Sequence, residues 1–175
     1  MNVMRWWAAL LCAAAWGCSG GGPSAPDDSS FAGVWAGTYA VRGCTTVGWP
    51  SCEGLELQVG GVYPISMTLT QNGNAVSGQA QVTESGFWAM PVSGTASAAA
   101  LTMTGVMVDP VLNRVATDTV RIPRWSATRD ADGRLHGTFA FSRETLWGPA
   151  NVGHRVGDVW TAAYDAELVD VRRVP

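Results

Sequence analysis

Few residues in this chain belong to types that do covalent or metal chemistry, and their spacing decides what they can do. The cysteines are Cys12, Cys18, Cys44 and Cys52, and the histidines are His136 and His154. Cys44 and Cys52 flank Thr45-Thr46-Val47-Gly48-Trp49-Pro50-Ser51, a stretch rich in turn residues. In an oxidising compartment the expected outcome is a disulfide stapling this loop. A metal site would need more ligands, and no histidine or further cysteine stands near in sequence. His136 falls on an outward strand position beside Gly137 and reads as a solvated strand histidine rather than a catalytic base. Asp130-Ala131-Asp132-Gly133 carries half the acidic pattern of a calcium loop but lacks the third acidic position and the closing Glu, so it reads as an Asp-Gly turn. Glu84 and Glu144 could form an acid–base pair only if the fold joined them, and nothing in the sequence does so. No G-x-S-x-G, no H-E-x-x-H and no phosphate-cradling glycine loop before a helix occurs. The expectation is a protein that is not an enzyme, with no metal and no cofactor.

Composition narrows the class further. The 175 residues suit one domain plus a short leader. Apolar residues make up 47% and charged ones 14%, well below the usual quarter. With 21 glycines and abundant Thr, Ser, Ala and Val, the chain leans towards strands and turns. A net charge of −3 offers no basic face, which argues against nucleic acid as a partner.

The N-terminus has the layout of an export signal. Met1 to Arg5 is a short basic region, and Trp6 to Trp16 is an apolar run far shorter than the roughly 20 residues needed to span a bilayer. It ends in Ala14-Ala15-Trp16-Gly17-Cys18, which resembles a bacterial lipoprotein signal, although Ala15 stands where Leu is commoner and Trp16 is bulky for its position. The resemblance implies that residues 1–17 are removed and that Cys18 is lipidated by acyl chains such as palmitate. Several acyl chains together anchor a protein stably to a membrane surface. Ser19 rather than Asp after the cysteine points to an outer-membrane address facing the periplasm. After Cys18, Ser19 to Ser30 is rich in Gly, Ser, Pro and Asp without apolar periodicity, so residues 18–30 form the lipidated cysteine and a tether with an r.m.s. reach of roughly 20 Å.

From residue 31 to 175 the chain reads as one all-β domain. Gly33 to Tyr39 opens it, with Trp35, Gly37 and Tyr39 on one face. Leu55 to Val59 alternates as a short strand or edge. Tyr63 to Thr70 and Ala75 to Thr83 flank Gln71-Asn72-Gly73-Asn74, whose Asn-Gly supplies the positive φ of a tight hairpin. Phe87 to Ala96 puts Trp88, Met90 and Val92 on one face. Ala100 to Val108 does the same with Leu101, Met103 and Met107. Val115 to Thr128 is a long strand bent or bulged at Pro123. Arg134 to Arg143 presents Leu135, Phe139 and Phe141, and the last strand presents Trp160, Ala162, Tyr164 and Leu168. Eight or nine strands with short turns predict an antiparallel up-and-down meander, as a closed barrel or, alternatively, a β-sandwich. Gly78, Gly94 and Gly137 each follow an inward apolar residue by two, and inward glycines let strands coil as closure requires.

The opening Gly33-Val34-Trp35 is similar to the first strand of the calycin barrels, the lipocalins and avidins, and the Ser-Gly-Thr strands resemble the avidin side. The resemblance implies that Trp35 plugs one end of a barrel, with Arg172 or Arg173 beside it. The biotin contacts of avidins have no positional match, so biotin binding is not implied.

Trp35, Tyr39, Met67, Trp88, Met90, Met103, Phe139, Phe141, Trp160 and Tyr164 are the expected lining of the interior. They either fill a small barrel or wall an apolar cavity. Trp49, Trp125 and Trp147 fall in or near loops, where they could rim a mouth. The expectation is therefore a lipid-anchored, extracytoplasmic envelope protein with a barrel that binds a small apolar ligand. The alternative is a structural lipoprotein with a filled core and a protein partner.

Overall fold

In the structure, a computed structural model that describes residues 30–52, 57–82, 89–109, 115–149 and 153–175, no helix occurs among the described residues. The strands are β1 (Gly33–Val47), β2 (Val62–Asn72), β3 (Ala75–Gln81), β4 (Ala89–Ala96), β5 (Ala100–Asp109), β6 (Ala116–Arg129), β7 (Arg134–Trp147) and β8 (Val159–Val174). Each pairs antiparallel with the next, and β1 closes on β8. The meander and the closed barrel are as predicted, and the sandwich alternative is excluded. The leader, Cys18 and the tether as far as residue 29 lie outside the described residues, as do Glu84 and Trp88.

Closure depends on the inward glycines. A Cβ on Gly37 would stand 1.7 Å from the carbonyl oxygen of Asp170, one on Gly78 2.0 Å from that of Thr68, and one on Gly94 1.8 Å from that of Thr102. At these positions the neighbouring strand presses against the bare face of the glycine, which is the tight coiling a small barrel needs. The hairpin between β2 and β3 turns on Gly73-Asn74, with Asn72 opposite Ala75 and Gly73 at φ 57°.

Three strand assignments differ from the sequence reading, each for a local reason, and a fourth feature, the bulge at Pro123, is as expected. Of the possible ninth strand, Leu55 and Glu56 lie outside the described residues, and Leu57 to Val59 form no strand. Gly60 N–H donates to Val41 O at 2.8 Å, folding Leu57–Gly61 back as a turn, and Leu57 enters the core from it. Strand β1 runs on to Val47 because β8 stays paired with it as far as Thr161, so Cys44 belongs to a strand rather than a loop. Strand β7 likewise continues past Arg143 to Trp147, held by β8 up to Val159. Finally, the irregularity at Pro123 is a bulge that shifts register between Arg121 and Arg124. One extra residue exchanges the two faces of the strand. Val120 and Ile122 point inward before it, and Trp125 and Ala127 after it. Trp125 is therefore core at 1% exposure, not a loop residue.

The interior is apolar and the exterior polar, the reverse of a membrane-spanning barrel. Trp35, Tyr39, Met67, Met90, Met103, Phe139 and Phe141 are all buried. Trp125 stacks on Phe139 at 4.6 Å between ring centroids, Phe139 lies 5.6 Å from Phe141, and Phe141 stacks on Tyr164 at 4.8 Å. Tyr39 meets Phe139 edge-on at 5.2 Å. This stack occupies the middle of the lumen with side chains.

Candidate binding site at the loop end

Strand direction makes the two ends of the barrel unlike. One end carries the connections 73–74, 97–99 and 130–133, both chain termini of the domain, and the start of β1. The other carries the longer connections 48–61, 82–88, 110–115 and 148–158.

The short-turn end is plugged. Trp35 Nε1 donates to Phe31 O at 2.8 Å, and the two rings lie 6.2 Å apart. Arg129 covers the Phe31 ring at 4.9 Å and donates to Ser30 O at 3.1 Å. Gln71 Oε1 accepts from the Phe31 N–H at 2.7 Å, so the end of the tether is seated on the hairpin. Of the two arginines implied by the calycin resemblance, Arg173 lies directly opposite Trp35 on the same face and donates to Ala32 O. Arg172 points outward to Asp170 at 2.9 Å. Arg129 was not expected here, and its position at the last residue of β6 gave no sign of it.

The turn at Asp130 is built on backbone. Asp130 Oδ1 accepts from the N–H groups of Asp132 and Arg134, both at 2.9 Å, and Oδ2 lies 2.7 Å from His136 Nε2. The Arg134 N–H and then the imidazole hold this carboxyl below the usual aspartate range. With both oxygens engaged, the turn has the Asp-Gly form expected, and His136 is an outward partner of it.

The loop end holds a polar group on the inner face that strand alternation alone could have revealed. Asp118, Thr145 and Trp160 are directly opposed across β6, β7 and β8, and Val120, Arg143 and Ala162 form the next row. Directly opposed residues share a face. Asp118 Oδ1 accepts from Thr145 Oγ1 at 2.6 Å, and Oδ2 accepts from Arg143 Nη2 at 2.6 Å. Thr145 is 3% exposed, a burial its hydroxyl tolerates because the carboxylate accepts its hydrogen bond. Sequence reasoning missed this triad because β7 was ended at Arg143. Arg143 and Thr145 continue the spacing of two set by Phe139 and Phe141.

Aromatic rings cap the same end. Trp147 stacks on His154 at 3.9 Å, His154 meets Trp160 at 4.4 Å, and Trp160 meets Trp49 edge-on at 4.9 Å. Trp160 is thus half-buried at the rim, whereas Tyr164 below it is buried in the core. The indole N–H groups of Trp49 and Trp147 are buried and make no hydrogen bond among the described residues. Trp49 is held over Trp160 by the Cys44–Cys52 disulfide, whose Cα atoms are 6.2 Å apart. This is the bond the sequence predicted. Replacing both cysteines with alanine is expected to lower stability by about 2.5 kcal/mol, the chain-entropy value for so short a loop. Urea titration of the oxidised protein and the double variant measures the difference.

Tyr39 belongs to the scaffold rather than to acid–base chemistry. Burial, with Tyr63 and Tyr164 nearby, pushes its phenol well above the ordinary value, and its hydroxyl donates to Val82 O. No family model, curated protein or solved structure matches the chain.

Proposed function

We propose that this chain is a lipid-anchored, extracytoplasmic envelope protein whose barrel binds a small ligand at its loop end. The observation that carries the reading is the pairing of a half-buried Asp118–Arg143–Thr145 triad with the Trp49–Trp147–Trp160–His154 rim at one end of a barrel plugged at the other. The lumen below is filled by the Trp125–Phe139–Phe141–Tyr164 stack, so the ligand sits high. Its chemistry follows from the wall: an apolar face for the rings, and hydrogen-bonding groups for the indole N–H donors and the triad. The tether enters at the plugged end, so an anchor on Cys18 turns the mouth away from the lipid. The filled stack also supports a second reading, a structural lipoprotein whose loop end meets a protein.

Two experiments test the proposal. Cys18→Ala is expected to move the protein from the membrane to the soluble extracytoplasmic fraction, and unchanged fractionation would remove the anchor. Protein released from its own envelope by mild detergent is expected to carry a small-molecule adduct in native mass spectrometry, which Trp160→Ala sheds. An adduct-free protein would leave the structural reading standing.

A further inference from the structure

Strands β4 and β5 are neighbours only over Val92–Ala96 and Leu101–Gly105. Both continue towards the loop end, where Ala89–Pro91 stay paired with β3 and Val106–Asp109 with β6, but not with each other. The sequence supplies two causes. Pro91 has no N–H to give to a ladder. The bulge at Pro123 bends β6, and β5 stays paired to β6 on the far side of it. Between the parted strands lies a lateral cleft of about 450 Å³, lined by Pro91, Thr104, Val106, Arg121 and Pro123 among others.

This seam has the chemistry of a strand acceptor. Beyond Gly105 the β4 side of β5 has no strand partner among the described residues, and backbone N–H and C=O groups are obligatory hydrogen-bonding groups. An edge of this kind templates an added strand. Val106 and Val108, spaced by two, are 47% and 59% exposed on the outer face. Arg121 is directly opposite Val106, is exposed, and makes no ion pair among the described residues. Among the described residues it is also the only charged side chain in the lining of the cleft.

We propose that the seam takes an extended peptide segment of a partner protein, added as a strand along β5. On the outer face of the added strand an acidic side chain beside Val106 meets Arg121, and an apolar side chain two positions away covers Val108. A charged partner strand without an acid at that position gains the backbone bonds but leaves Arg121 unpaired. The site is independent of the mouth, because it opens through the barrel wall and uses none of the rim residues.

The test is hydrogen exchange on the full chain with two probe peptides, Thr-Glu-Thr-Val-Thr-Val, whose Glu and Val side chains share one face, and its counterpart with Lys in place of Glu. Those amides of Val106 to Val108 that point to the β4 side are expected to exchange rapidly in the free protein, as unpaired strand edges do, and about tenfold more slowly with the Glu peptide, whereas those bonded to β6 stay protected throughout. The Lys peptide, which sets a like charge against Arg121, is expected to protect the β4-side amides less than the Glu peptide at the same concentration. Arg121→Glu, an exposed substitution that spares the core, is expected to reverse the preference. Slow exchange of the β4-side amides in the free monomer, no protection by the Glu peptide, or an unreversed preference in Arg121→Glu would overturn the proposal. Protection that grows with protein concentration alone would also overturn it, by assigning the edge to a second copy of this chain.

Discussion

Trp125→Ala is expected to cost about 4 kcal/mol, the largest loss from any single side chain in the barrel wall. The indole is 1% exposed and stacks on Phe139 at 4.6 Å, so truncation opens a void beneath the whole aromatic stack. For a domain of this size the loss corresponds to a fall in Tm of roughly 12 °C. The prediction depends on the bulge at Pro123. Without the extra residue Trp125 would face solvent and Ser126 the core, and the substitution would cost less than about 0.5 kcal/mol. Ser126→Leu separates the two registers from the other side. It is expected to be nearly neutral, because Ser126 is exposed. Urea denaturation of both variants, with Cm falling and m unchanged for Trp125→Ala, is the measurement.

Gly37→Ala is expected to cost about 3 kcal/mol through the addition of a single methyl group. Its Cβ would lie 1.7 Å from Asp170 O and 2.6 Å from the Val171 Cα, both backbone atoms of β8 that no side-chain rotation can clear. The β1–β8 seam that closes the barrel must then part. Gly43→Ala, on the same strand pair, is the control. Its Cβ would meet only the Asp165 side chain at 3.6 Å, an ordinary contact, so stability should change by less than about 0.5 kcal/mol. Equal losses at the two positions would refute the claim that closure rests on the bare inward glycines.

Much of the barrel was legible in the sequence because one rule, alternation with period two, operates on every strand. It placed Trp35, Tyr39, Met67, Met90, Met103, Phe139 and Phe141 on the inner face, where the structure buries them. The rule loses its footing where a residue is inserted, which is why Trp125 was read as a loop residue. It also stops being applied once apolar residues give way to polar ones. Arg143 and Thr145 keep the inward spacing, but a charged residue after Phe141 looks like a strand end. What makes them interior is Asp118, on a different strand and 25 residues from Arg143. That pairing is set by the β6–β7 register, which the bulge shifts. The rim was the least legible. Trp49, Trp147, His154 and Trp160 come from two loops and two strand ends; the β7–β8 pairing gathers the last three, and closure of β8 on β1 adds Trp49.

The mouth at the loop end is tested most directly by following the indole N–H resonances of the protein by NMR while an organic extract of its own envelope is added. The resonances of Trp49, Trp147 and Trp160 are expected to shift together and saturably. Trp35, bonded to Phe31 O in the plug, and Trp125, buried in the stack, are expected to stay fixed. Movement of Trp35 or Trp125, or no movement at the rim, would contradict a binding site at the loop end.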